Sequence, residues 1–150
     1  MLRRIACGIP LCALVALAGA CAGTSLPTVP TTPTTTTATF TGALNPAGTS
    51  IHSFVTITGG PVIATLTVVG PDPTQTVGFS LGTYNPTLNI CTVNFDNPAA
   101  LQGFVFNATA STTGFYCARL YDNGTVTTAV AASTDGSVTS FNYTITVTHP

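Results

Sequence analysis

The sequence predicts an all-β protein: an antiparallel β-sandwich, jelly-roll-like, with about eight strands. Three observations lead there. From Thr39 onward apolar and polar residues alternate with a period of two, the pattern of half-buried strands. β-branched and aromatic residues dominate the alternating runs, as a pleated surface favours. Gly, Pro, Asn and Asp collect between the runs, where turns require them. No stretch of useful length has helical periodicity, so short strands at close spacing leave a sandwich or jelly roll as the architecture.

The chain of 150 residues opens with "MLRRIACGIPLCALVALAGACAG". A basic start (Arg3, Arg4), an apolar stretch and then small residues make a secretory signal over residues 1–20. The apolar stretch is short and interrupted by Pro10, which does not suit a membrane span. The end of the signal has two readings. Ala18-Gly19-Ala20 fits the small-x-small rule of ordinary signal peptidase. The same residues resemble a bacterial lipobox, in which the residue after the cut, here Cys21, receives lipid. The lipobox pattern has Leu three residues before that cysteine, where this chain has Ala18. Export follows either way: the product is anchored through lipid at Cys21, or is secreted or periplasmic.

Residues 21–38 include "TSLPTVPTTPTTTTA", uncharged, aperiodic and rich in Thr and Pro. Such a segment lacks the apolar surface to fold alone. It reads as a disordered, semi-stiff tether extending roughly 3 Å per residue. The folded domain is expected over residues 39–150.

Eight runs follow in order: "TATFTGAL", "IHSFVTIT", "VIATLTVV", "TVGFSLGT", "NICTVNF", "GFVFNAT", "GFYCARLY" and "FNYTITVTH". "NPAG", "TGGP" and "GPDP" separate the early ones. "DNG" (122–124) and "DG" (135–136) are hairpin signals, because Asn and Gly tolerate positive φ. On the seventh run Tyr116, Ala118 and Leu120 share one face and should enter the core. Phe115, Cys117, Arg119 and Tyr121 share the other.

Charge is scarce: 5% of residues, against about 25% in ordinary globular proteins. There is no Lys, Glu or Trp. Without the signal, Arg119 stands alone against Asp72, Asp96, Asp122 and Asp135. Nothing there neutralises a phosphate backbone, which excludes nucleic acid as a partner. Hydroxyls of Thr and Ser supply the polar surface. Contact with the membrane is expected only through an N-terminal lipid.

Cys7 and Cys12 leave with the signal, and Cys21 is taken if lipid is attached. Cys91 and Cys117 remain, each inside a predicted strand, in an oxidising compartment. A bridge closing about 26 residues would contribute roughly 3 to 4 kcal/mol in the chain-entropy model. It is expected to rivet the two stacked sheets together. The rival reading is a thiol nucleophile working with His52 or His149. Arg119 likewise has two readings: a guanidinium stacked on neighbouring aromatics, or a ligand contact.

"FYCAR" is similar to the late strand of immunoglobulin domains, but the cysteines are too close in sequence and the buried Trp is absent. From about Phe40 to Pro150 the order of features resembles the bacterial pre-peptidase C-terminal (PPC) domain. The carriers are His52 to Ile57 against its "Y/F-x-F/V-x-V" strand, and Ile63 to Val68 against "tvtlt". Val77 to Leu81 stand against "lslyl", Thr113 to Tyr121 against "aGtYyvrVy", and Tyr143 to Val147 against the last strand "Y-t-l-t-v". The resemblance implies a jelly-roll-like sandwich of the kind usually appended to secreted peptidases. This chain departs from the pattern in carrying no peptidase and in its cysteine pair.

Catalytic chemistry is thinly provided. A carboxylate pair would need two of the four Asp, all in or beside predicted turns. Gly48-Thr49-Ser50-Ile51-His52 is not a nucleophile elbow, and His52 and His149 have no zinc-ligand spacing. No cofactor is expected. Calcium is the one metal with candidate ligands, Asp96-Asn97 and Asp122-Asn123, whose bland role is turn formation. Three functions remain open. The first is a non-catalytic exported cell-envelope module acting by surface contact with protein or polysaccharide. The second is a carbohydrate-binding module, for which Tyr84, Asn85, Tyr121, Asp122 and Asn123 are the candidates, with Arg119 a further candidate ligand contact. The third, with the least support, is a secreted hydrolase.

Overall fold

A computed structural model of the protein describes residues 34–126 and 141–150. The signal, Cys21, most of the tether and the "DG" at 135–136 lie outside the described residues. All eight alternating runs are strands: β1 (Thr36–Leu44), β2 (Thr49–Thr56), β3 (Gly60–Gly70), β4 (Val77–Asn85), β5 (Ile90–Ala100), β6 (Val105–Ala110), β7 (Gly114–Tyr121) and β8 (Phe141–His149). There is no helix among the described residues. β1 begins at Thr36, inside the stretch read as tether, with Thr37 and Ala38 paired to Thr148 and Val147. Threonine suits a strand as well as an extended linker, and β8 supplies the missing partner.

Two four-stranded antiparallel sheets form, in the orders β1-β8-β3-β6 and β2-β7-β4-β5. Consecutive strands mostly alternate between the sheets, which is the jelly-roll arrangement. Among the described strands, only β4 and β5 form a hairpin of sequence neighbours. "DNG" does not close one: Gly124 takes φ 90°, the chain leaves β7 there, and β8 belongs to the other sheet. That dipeptide chemistry sets a local bend; the strand's partner is chosen by packing far along the chain.

The core lies between the sheets. β8 sends Phe141, Tyr143, Ile145 and Val147 inward, β3 sends Val62, Ala64 and Leu66, and β4 sends Val77, Phe79 and Leu81. Phe79 meets the rings of Phe104 and Phe106, an edge-to-face cluster of the kind that adds to area burial. Ala118 and Leu120 are fully buried and Tyr116 packs at the core margin, as the alternation on β7 requires. On the outer side of the first sheet, β1 and β8 present a threonine surface. Thr37, Thr39 and Thr41 oppose Thr148, Thr146 and Thr144, with the Thr37 and Thr148 hydroxyls 3.1 Å apart. Hydroxyls thus do the solvating work that charges do elsewhere.

Cys91 and Cys117 are bonded, with Cα atoms 5.9 Å apart. They do not rivet one sheet to the other. β5 and β7 belong to the same sheet and flank β4, so the bridge passes over that strand. Strands two apart in a flat sheet stand about 9.5 Å from each other, so β5 is drawn across β4. The register shifts between Leu81 and Gly82, and a Cβ at Gly82 would lie 2.0 Å from the Thr92 carbonyl oxygen. The missing side chain at Gly82 is what lets β5 come so close.

His52 shows how the far margin of the sandwich is closed. It points inward from β2, stacks on Phe40 of β1 at 4.9 Å, and meets the Tyr143 hydroxyl of β8 at 2.8 Å. Burial pushes its pKa below the ordinary value of 6.5. The unfolded chain therefore binds the proton more readily, and stability falls as pH drops through about 6.5 toward the lowered folded value. A second window lies lower. Burial pushes the Asp122 carboxyl up, but the amides of Ala47, Val126 and Gly124 outweigh it and hold it below 3.8, so stability is lost again under strong acid. Thermal unfolding followed from pH 8 to pH 5 should show a falling midpoint, and His52→Asn should flatten that slope. An equally steep slope in the variant would show that another group titrates there.

Candidate functional site

Outward-facing residues of β2, β7, β4 and β5 fall into register rows across the second sheet. Ile51, Arg119, Ser80 and Asp96 make one row, and Ser53, Cys117, Gly82 and Val93 make the next. The row below sets Val55 opposite Phe115. Alternate positions of β4 are small on this side: Gly78, Ser80, Gly82. They form a shallow valley that longer side chains from β7 cover.

Tyr121 does this at one end. It pairs with Gly78, and a Cβ there would meet its ring at 2.2 Å, so the ring lies flat on the β4 backbone. Its hydroxyl donates to both oxygens of Asp96, at 3.0 and 3.2 Å, and the Ser80 hydroxyl donates to Oδ1 at 2.6 Å. Burial first, and the Asp96 carboxylate second, raise the Tyr121 phenol above its usual pKa, so it stays a donor. The Arg119 guanidinium sits 4.7 Å from the centre of the same ring, the stacked arrangement anticipated for it. Its Nε is buried with no hydrogen-bond partner. Neither an ion pair nor a hydrogen bond to Arg119 is found among the described residues.

The structure thus brings Arg119, Tyr121 and Asp96 together and leaves the other candidates apart. Tyr84 stands six residues along β4 from Gly78, about 20 Å away at strand rise. Its hydroxyl donates to Asn89 Oδ1 at 2.5 Å. Asn85 Oδ1 accepts from the Thr87 and Leu88 amides at 3.0 and 3.1 Å, which shapes the β4–β5 turn. The calcium candidates are engaged in the same way. Asn97 Oδ1 takes the Ala99 amide, Asn123 Oδ1 takes the Thr125 amide, and Asp122 takes amides of Ala47, Gly124 and Val126. Asn123 Nδ2 donates to the Pro98 carbonyl, so the two candidate pairs are neighbours. Among the described residues no three His, Cys, Asp or Glu side chains gather to hold a metal ion.

Both thiols of the nucleophile reading are consumed in the disulfide. The two histidines are core-facing: His52 as described, and His149 against Phe54 at 5.1 Å. A cleft of about 140 Å³ opens between the sheets at the β5 and β6 edges, lined by Leu81, Phe95, Ala108, Ala110 and Tyr116 among others. Its lining offers hydroxyls and an amide but no carboxylate, imidazole or free thiol.

Ser80 and the exposed residues Phe115, Val55 and Ile51 are not singled out by the sequence reading. The "GFSLG" spacing of β4 was the available signal. Small residues at alternate positions leave one side of a strand open to close approach.

An all-β jelly-roll sandwich with a disulfide inside one sheet, and an arginine-centred outer face beside it, is the class the structure defines. No protein-family model matches the chain. No curated protein matches it either. Among solved structures it is similar to the Yersinia pseudotuberculosis-derived mitogen, at 16% identity and a TM-score of 0.49, over 77% of this chain and 86% of that one.

Proposed function

We propose that this chain is a non-catalytic, exported cell-envelope module of PPC-like type that works by surface contact, through the outer face of β2-β7-β4-β5. One observation carries the choice of face. Val55 and Phe115 oppose each other there, 44% and 49% exposed, with Ile51 at 37% beside Arg119, which has no ion pair among the described residues. Exposed aromatic and aliphatic side chains around an arginine, without Lys or Glu, have the composition of a protein-contact surface. The segments that carry the PPC resemblance lie on β2, β3, β4, β7 and β8. Envelope anchoring rests on the resemblance of the residues before Cys21 to a lipobox, and intact mass of the exported protein tests it directly by the added acyl chains.

The carbohydrate-binding alternative has less support. A sugar stacks on an open aromatic face, and Tyr121 has the β4 backbone under its ring and Arg119 against it. Tyr84 is too far along the strand to share a platform with it. The contact reading needs no cofactor.

Its test is co-sedimentation of the exported protein with envelope fragments from its own source. Phe115→Ser should weaken that association by about tenfold, the scale of a truncated interface aromatic, while thermal unfolding stays near that of the parent. Binding unaffected by Phe115→Ser and Val55→Ser together would place the contact elsewhere.

A further inference from the structure

The outer face of β2-β7-β4-β5 carries its own complement. Arg119 on β7 and Asp96 on β5 occupy one register row, on either side of Ser80 of β4. Arg119 is the only Lys or Arg among the described residues, and none of those residues gives it an ion pair. Asp96 is exposed and is held only by the neutral hydroxyls of Ser80 and Tyr121. Among the described residues, one sheet face therefore presents a single cation and a single anion, neither in an ion pair, placed symmetrically about its third strand.

A half-turn about an axis lying along β4, above Ser80, turns the face over and exchanges the places of β7 and β5. Applied to a second copy, it sets each Arg119 over the Asp96 of the other molecule. The row does not shift along the strand, because both residues pair with the same position of β4. The same operation brings Phe115 of one copy over the β5 side of the other, where Cys91 and the exposed Val93 lie. Contacts that repeat reciprocally in this way are what a two-fold interface requires.

We infer that the partner this face fits is a second copy of this chain, in a face-to-face two-fold dimer closed by two Arg119–Asp96 pairs. This rests on the reading of the face as the contact surface and names what it contacts. The three strands that overlap, β7, β4 and β5, about 4.8 Å apart and eight residues long at about 3.3 Å per residue, cover roughly 400 Å² per copy. About 1,000 Å² in total is the lower bound for a specific interface, so the dimer is weak in free solution. Anchoring at a shared surface raises the effective concentration and makes such an interface effective.

Sedimentation velocity of the full exported protein over a wide concentration range tests this. The expected result is a reversible monomer–dimer equilibrium that weakens with added salt. Arg119→Asp and Asp96→Arg should each weaken it by about tenfold or more, through like charges facing across the axis. The double exchange, Arg119→Asp with Asp96→Arg, should restore it. Asp96→Asn keeps an oxygen for Tyr121 and Ser80, so it should fold normally and still weaken the dimer. A protein monomeric at every concentration overturns the inference, and so does a dimer indifferent to both Asp96→Asn and salt. Neither outcome touches the contact reading, which the envelope co-sedimentation with Phe115→Ser decides separately.

Discussion

Gly82→Ala is expected to destabilise the protein by about 3 kcal/mol, at the upper end of what overpacking costs. For a domain of this size that lowers the unfolding midpoint by roughly 10 to 20 °C. The added carbon would sit 2.0 Å from the Thr92 carbonyl oxygen and 3.0 Å from the Val93 Cα, both backbone atoms of β5. Backbone cannot rotate aside, so β5 must retreat from β4, and the disulfide opposes that retreat. Gly78→Ala provides the control on the same strand and face. Its Cβ would also meet atoms too closely, at 2.2 to 2.4 Å, but these belong to the Tyr121 ring. That ring can swing off the strand at the cost of its hydrogen bonds to Asp96, so the penalty should be smaller. Equal midpoints for Gly82→Ala and the parent, in thermal unfolding of the oxidised proteins, would show that β5 is not wedged where described.

Periodicity located every strand among the described residues because side-chain alternation is a local property, written into eight or nine consecutive residues. "FNYTITVTH" alternates so cleanly that β8 is legible residue by residue, with Phe141, Tyr143, Ile145 and Val147 all buried. Pairing is not local. β1 finds β8 across nearly the whole domain, and β2 finds β7. No short window of sequence states that choice. This is why "DNG" reads as a hairpin and proves to be an exit from the sheet, and why the cysteine pair reads as a link between sheets.

The candidate face divides in the same manner. Arg119 and Tyr121 are adjacent on one side of one strand, so their stacking follows from alternation alone. Asp96 joins them only because β5 pairs with β4 at Ser80, a registry that depends on the bulge near Gly82. Asp122 was legible as a turn residue, and its carboxylate accepts backbone amides as that role predicts, whereas Asn85, read as a ligand contact, holds amides of the β4–β5 turn instead. The exposure of Phe115 and Val55 was not legible, since an alternating strand does not reveal whether its outer side is covered by another part of the chain.

Removing the disulfide should have the larger effect on the whole molecule. For Cys91→Ser with Cys117→Ser, closing a loop of 26 residues corresponds to about 3.5 kcal/mol in the chain-entropy model. The loss should not be spread evenly. β7 keeps two neighbours, β2 and β4, when the bridge is gone, whereas β5 is an edge strand held by β4 alone. Amide exchange should therefore show β5 opening below the global free energy while β7 stays protected. The two substitutions should also be coupled. With the bridge absent, β5 can move away from an added methyl, so Gly82→Ala should cost about 1 kcal/mol less in the serine variant than in the parent. Strict additivity, measured by denaturant unfolding of all four proteins, would mean that the bridge does not hold β5 against Gly82. Uniform loss of protection across β5 and β7 would mean that the sheet opens as one unit.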